Sequence, residues 1–192
     1  MQSTKDTFYI SLRDSLATLY PTRTINLNGQ QRPAIVVPEN EPRSALSAPA
    51  PLEDASPGNA FGSRTRLANC FYLHFGAASE AANQSGFPTL PPASGGGWEP
   101  LMHMGCTITY STTGTPNSTG ADRGRSLAEL DSELLAICAA QVAAKSDYSQ
   151  TPPVALGTNI IWTRPSFADA QSLGTELRRV ATVTIFFYSD VA

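Results

Sequence analysis

The chain has 192 residues, the span of one ordinary domain, and its 41% hydrophobic content is enough for a real core. Only 15% of residues are charged, and 13 basic against 16 acidic side chains leave a net charge of −3, so no overall basic field exists to hold nucleic-acid phosphates. No apolar run approaches the roughly 18 residues that cross a bilayer, and the first residues lack the basic and apolar regions of a signal peptide. The expectation is a soluble protein made in the cytosol.

Residues 5–20 set Phe8, Leu12, Leu16 and Leu19 on one helical stripe, with Ser3 or Thr4 to cap it and Pro21 to end it. Two extended runs follow, 22–27 and 31–37, joined through Asn28-Gly29, the pair best suited to a tight hairpin turn. From 38 to 63 the chain is rich in Pro, Ala, Ser, Glu and Gly, and Pro38, Pro42, Pro49, Pro51 and Pro57 exclude a regular helix or a central strand. This is read as a long arm. Residues 77–97, with Pro88, Pro91, Pro92 and Gly95-Gly96-Gly97, are read as a second long loop.

Between these excursions, 69–75 alternates, with Phe71, Leu73 and Phe75 on one side and Cys70, Tyr72 and His74 on the other. Residues 101–111 alternate likewise, Met102, Met104, Cys106, Ile108 and Tyr110 against His103, Gly105, Thr107 and Thr109. Two paired strands are predicted. Residues 125–144 then place Leu127, Leu130, Leu134, Ile137 and Gln141 on a stripe widened by Cys138 and Val142, which predicts the longest helix. Asp122 is placed to cap it, Glu129, Asp131 and Glu133 lie early in it, and Lys145 lies at its far end, as the helix dipole favours.

Pro152-Pro153 breaks the chain, and 158–164 and 177–188 read as the last strands. In the final one Val183, Ile185 and Phe187 fill one face, while Val180, Phe186 and Tyr188 put apolar surface on the other. That pattern is expected of a strand covered on both sides, by helices on one and a neighbouring subunit on the other.

Signs of chemistry are few. No GxSxG elbow accompanies His74 and His103, Gly95-Gly96-Gly97 runs into Trp98-Glu99 rather than a phosphate-binding lysine, and Gly120 to Gly124 misses the GxGxxG spacing. Three cysteines, Cys70, Cys106 and Cys138, are an odd number with no CxxC pair, so they are read as reduced and packed. Cys70, His74 and His103 form a conceivable metal set. However, a fourth ligand is missing, and Cys70 and His74 stand about 13 Å apart along a strand. Arg64 with Arg66, and Arg123 with Arg125, make two local basic pairs, read equally as contacts to a partner's carboxylates, as phosphate contacts or as isolated surface charges.

In order, the elements give an α+β domain over residues 1–192: a mostly antiparallel sheet with two helices packed on one face, and long Pro/Gly-rich loops or arms at 38–63 and 77–97. Several stretches then resemble the tail terminator (tail completion) proteins of tailed bacteriophages and prophages. They are Cys106 to Tyr110 (CTITY) with Thr113-Gly114, Asp122-Arg123-Gly124-Arg125 leading into the 127–137 stripe, Leu156-Gly157-Thr158-Asn159, Trp162-Thr163-Arg164-Pro165, and 182–188. The opening helix and Asn28-Gly29 hairpin are similar to the same family's start. The resemblance covers most of the chain apart from the two long loops, and its motifs are architectural.

The resemblance implies a structural virion protein, not an enzyme, with no cofactor, metal or catalytic residue. It would form a homo-oligomeric ring, sixfold in the family, on the head-proximal end of the tail tube, ending tube polymerisation and offering a joining surface to head completion, connector or neck proteins. DNA would pass only transiently through the lumen, no membrane would be involved, and assembly would take place in the host bacterial cytoplasm. The candidate subunit or partner interface is Trp162, Arg164, Phe186, Tyr188, Arg123 and Arg125, with Trp162 expected to be exposed. The alternatives are another neck or head-tail connector protein, or a small metal-binding or enzymatic domain built on Cys70, His74 and His103.

Overall fold

The structure, a computed structural model, describes residues 1–22, 24–27, 30–33, 36–37, 69–81, 101–114 and 119–188. In chain order the elements are α1 (Gln2–Leu19), β1 (Thr24–Leu27), β2 (Gln30–Pro33), β3 (Val36–Val37), β4 (Phe71–Glu80) and β5 (Leu101–Thr112). They continue with α2 (Gly120–Ile137), β6 (Val142–Asp147), β7 (Val154–Trp162), β8 (Ser166–Phe167), β9 (Gln171–Leu173) and β10 (Glu176–Tyr188). β1 and β2 form a separate antiparallel hairpin with Leu27 opposite Gln30, in the place that Asn28-Gly29 predicts. The other eight strands share one sheet in the order β3-β4-β5-β10-β7-β6, with β8 and β9 also on β10. Only the short β3–β4 contact is parallel, so the α+β class with a mostly antiparallel sheet is as the patterning indicates.

The apolar stripes decide the packing. Phe8, Leu12 and Leu16 of α1 and Leu127, Leu130, Leu134 and Ile137 of α2 join one cluster with Phe71, Leu73 and Phe75 of β4, Met104, Cys106, Ile108 and Tyr110 of β5, and the odd-numbered residues 181–187 of β10. Both helices therefore cover the same face of the sheet. The Phe8 ring meets Trp162 and Phe75 edge to face, at centroid distances of 5.4 and 6.2 Å. Thr4 and Thr7 lie inside α1 and are buried, so the cap expected at Ser3 or Thr4 is not there; Met1 holds the N-cap position. Thr7 instead accepts a hydrogen bond from the Ser146 backbone N–H at 3.2 Å, tying α1 to β6.

α2 opens with a capping box. Thr119 is its N-cap; its hydroxyl accepts from the Asp122 N–H and the Asp122 carboxylate accepts from the Thr119 N–H at 3.2 Å. Asp122 thus helps start the helix, and the Thr119 backbone N–H, then its hydroxyl and Arg125, hold that carboxyl below the usual carboxylate range.

The other end of α2 departs from the sequence reading. The helix stops at Ile137, Gln141 takes a positive φ of 55°, and 142–147 is strand β6 rather than a helical tail. Residues 139–145 are good helix formers, so propensity carries no stop signal there. Tertiary pairing supplies it: Trp162 N–H donates to the Gln141 carbonyl at 3.0 Å, Gln141 Nε2 donates to the Trp162 carbonyl at 3.1 Å, and Trp162 Nε1 donates to the Cys138 carbonyl at 2.9 Å. Lys145, expected at a helix end, points inward from β6. Its Nζ donates to the Tyr188 carbonyl at 2.7 Å and lies 5.8 Å from the centre of the Phe187 ring.

The second long loop also starts later than expected, because residues 77–80 continue β4 past a bulge between Phe75 and Ala78. Residues 82–97, the 38–63 arm, Arg64 and Arg66 lie outside the described residues. Among the described residues no helix is long and apolar enough to cross a membrane.

Candidate interaction surface

The sheet has a second face. Strand alternation turns Tyr72 and His74 of β4, the odd residues 103–111 of β5 and the even residues 178–188 of β10 away from the helices, and among the described residues no helix packs on that side. Phe186 sits there with His103 opposite it on β5 and Ile161 opposite it on β7. The His103 and Phe186 rings are 6.2 Å apart, and His103 Nε2 lies 3.3 Å from Ser79 Oγ. Phe186 is buried and Tyr188 half-buried. The rest of the face is largely hydroxyl-bearing, with Thr107, Thr109, Ser111, Thr182 and Thr184.

The six residues proposed for an interface do not gather in one place. Phe186 and Tyr188 share the open face, and Arg164 is exposed beyond the end of β7. Arg123 and Arg125 belong to the first turns of α2, on the helix side of the sheet, where Arg125 pairs with Asp122. Trp162 is a correction. It is 1% exposed and lies in the core, because its register partner is Ile185, which faces the helices.

Two hairpin tips form surfaces that the sequence does not signal. Residues 149–157 are all exposed, although 154–157 already belong to β7, and residues 168–175 are all exposed around β9. Trp162 pairs with Ile185 in antiparallel sense, so the start of β7 lies past the Tyr188 end of β10. The turn at Gly174, with φ +59°, lies at the opposite end of β10. Each tip carries apolar side chains into solvent: Val154 and Leu156 are 44% and 41% exposed at one end, and Leu173 is 51% exposed at the other. Pro152-Pro153 signals a break in the sequence, but nothing local marks the strand after it as unpacked.

The helix face carries its own polar chemistry, centred on Tyr110 and Asp131, although Thr4 Oγ1 and Arg179 Nε on that side are buried without a hydrogen-bond partner. Tyr110 donates to Asp131 of α2 at 2.5 Å, and Arg179 Nε stands 3.5 Å from the same carboxylate. Burial, then the hydrogen bond to Asp131, pushes the Tyr110 hydroxyl far above its ordinary value. The thiols of Cys70, Cys106 and Cys138 are buried, and burial pushes Cys138 up to about 12. Cys70 is buried, His74 exposed and His103 half-buried. Among the described residues no group of three or more His, Cys, Asp or Glu side chains is placed to hold a metal ion.

Compared with models of known protein families and with curated proteins, the chain finds no match in either.

Proposed function

We propose that this chain is a structural virion protein of the tail terminator type: a ring, sixfold by resemblance, seated on the head-proximal end of a phage tail tube. It stops tube polymerisation and presents a joining surface to neck or head completion proteins. Its place is the tail and neck of the particle, assembled in the bacterial cytoplasm, and DNA meets it only in passing through the lumen. Its role is assembly rather than catalysis.

The observation that carries this reading is the pair of hairpin tips at opposite ends of one sheet, each presenting apolar side chains that the chain itself does not cover. A component between tube and neck needs contacts at both axial ends, and closing a ring needs a lateral surface as well. The sheet face turned away from the helices, where Tyr188 and several threonines stay partly accessible, is offered for that lateral contact, and its hydroxyls lower the desolvation cost that charges would bring.

The test is electron microscopy of the purified protein, alone and mixed with tail tubes of the same particle. A ring capping one tube end is the expected result. Attachment to a head portal instead would reassign the protein to the neck connectors. Bare tube ends, with no ring in either sample, would end the reading.

A further inference from the structure

The bulge in β6 falls at Lys145, between the pairs Ala144–Asn159 and Ser146–Ala155, and a bulge re-aims the side chain at its centre. Lys145 is 2% exposed. Its Nζ reaches the end of β10, donating to the Tyr188 carbonyl at 2.7 Å and lying 5.8 Å from the centre of the Phe187 ring. A carbonyl and a ring face are neutral partners, whereas a lysine buried this deeply calls for an anion. An ammonium has three donors, enough for the Tyr188 carbonyl and a carboxylate together.

The described acids on β6, and on α1 which packs against it, are committed elsewhere. Asp147 accepts from the Ser149 N–H at 2.9 Å, the Ser149 hydroxyl at 2.7 Å and Gln150 Nε2 at 3.0 Å. Asp6 accepts from Gln2 Nε2 at 2.7 Å, and Asp14 pairs with Arg13 at 2.8 Å. The chain brings one more acid to the place. Tyr188, whose carbonyl touches Nζ, is followed by Ser189, Asp190, Val191 and Ala192, which lie outside the described residues. Two residues span at most about 7 Å, so Asp190 cannot be far from the ammonium.

We propose that Asp190 is the counter-ion of Lys145, and that the pair latches the chain leaving β10 to the edge strand β6. Two observations select this occupant: the point where the described chain stops, and the match between one buried cation and the one acid that follows it. Burial of Lys145 is no obstacle, because the carboxylate belongs to the strand already at Nζ and arrives as the sheet forms, not through solvent. β10 and β7 pair at Ile185 and Phe186; beyond them, the latch takes the place of a ladder in joining the end of β10 to the β6–β7 hairpin. The inference stands apart from the ring reading, since it needs no partner molecule.

Lys5 and Lys145 are the two lysines of the chain, so reductive methylation of the whole protein, read by peptide mass spectrometry, follows each separately. In the wild type Lys145 is expected to be protected relative to Lys5. Asp190→Asn should speed methylation of Lys145 by about tenfold, as loss of one charged hydrogen bond implies, and leave Lys5 unchanged. Asp190→Glu, which keeps the acid, should restore most of the protection. Equal protection in the wild type and Asp190→Asn overturns the proposal, as does deprotection by Asp147→Asn in its place. A second measurement reads the pair by thermal melting. Asp190→Asn is expected to lower the melting temperature by about 5–10 °C in the wild type and to have no effect in Lys145→Met. The same decrease in both backgrounds would refute the latch.

Discussion

On the helix side of β10, Ala181, Val183, Ile185 and Phe187 are all buried in one cluster, whereas Val180, Thr182, Thr184 and Tyr188 on the other side stay at least partly accessible. Polar pairing divides the faces less cleanly, because Thr4 Oγ1 and Arg179 Nε on the helix side also lack hydrogen-bond partners. Tyr110, Asp131 and Arg179 are joined on the helix side, while His103 Nδ1, Ser111 Oγ and Arg178 Nε on the open side lack hydrogen-bond partners. One face therefore has its β10 side chains wholly packed within the chain, while the other buries Phe186 but keeps accessible positions beside it. The accessible positions of the second face can carry residues suited to contact with something else. Threonine suits that role, because its branched side chain fits a pleated strand and its hydroxyl keeps the surface wettable.

The largest test of this division is Trp162→Ala. If Trp162 belongs to the covered face, its truncation costs about 3–5 kcal/mol of unfolding free energy in a denaturant titration, while Thr182→Ala on the open face changes stability by less than about 0.5 kcal/mol. Wild-type stability of the Trp162 variant, with assembly lost, would return this residue to an interface. Next in size is Tyr110→Phe, which removes the hydrogen bond to Asp131 without creating a large cavity. A loss of about 1.5–3 kcal/mol is expected for a bond to a charged acceptor, and a neutral result would mean that the network binds α2 to the sheet only weakly.

The sequence makes the covered face legible because apolar periodicity is a one-dimensional record of burial. Phe8, Leu12 and Leu16, the 71–75 and 102–110 alternations and the 127–137 stripe all pack as their spacing predicts. What fails is decided by partners far away in the chain. Residues 139–145 read as helix because their propensities are helical, yet hydrogen bonds to Trp162, about twenty positions on, turn them into a strand. Trp162 itself reads as exposed in the sequence because its face depends on its register with Ile185, which alternation within one strand cannot fix. Phe186 and Tyr188 could be placed on the second face by counting, but the orphaned donors of Arg178 and Ser111 could not, since an unmade hydrogen bond leaves no mark in sequence.

Smaller effects sharpen the comparison at the helix ends. Thr119→Ala removes the α2 cap and is expected to cost about 1 kcal/mol. The same box carries a pH signature. Asp122 is held below its ordinary value, first by the Thr119 backbone N–H, so the stability it contributes is fully present above an unfolded pKa of about 3.9 and is lost as pH falls through the lower folded value. Carbon-13 titration of the Asp122 carboxyl should show the depressed midpoint in the wild type and a partial return in Thr119→Ala. An ordinary midpoint in both would show that the box does not persist in solution.

The smallest effect on folding is expected where the chain is least covered, and there the comparison between faces becomes one between folding and assembly. Leu156→Ser and Leu173→Ser replace side chains already about half in water, so each should change unfolding free energy by less than about 0.5 kcal/mol. If the two tips are contact surfaces at opposite ends of the sheet, each variant should block a different partner. One would abolish capping of tubes and the other joining to the neck, with both variants folded and equally stable. Two variants that assemble normally would show that apolar exposure at the tips is incidental, since single exposed apolar residues are common on protein surfaces. The lateral open face would then be the remaining candidate for contact.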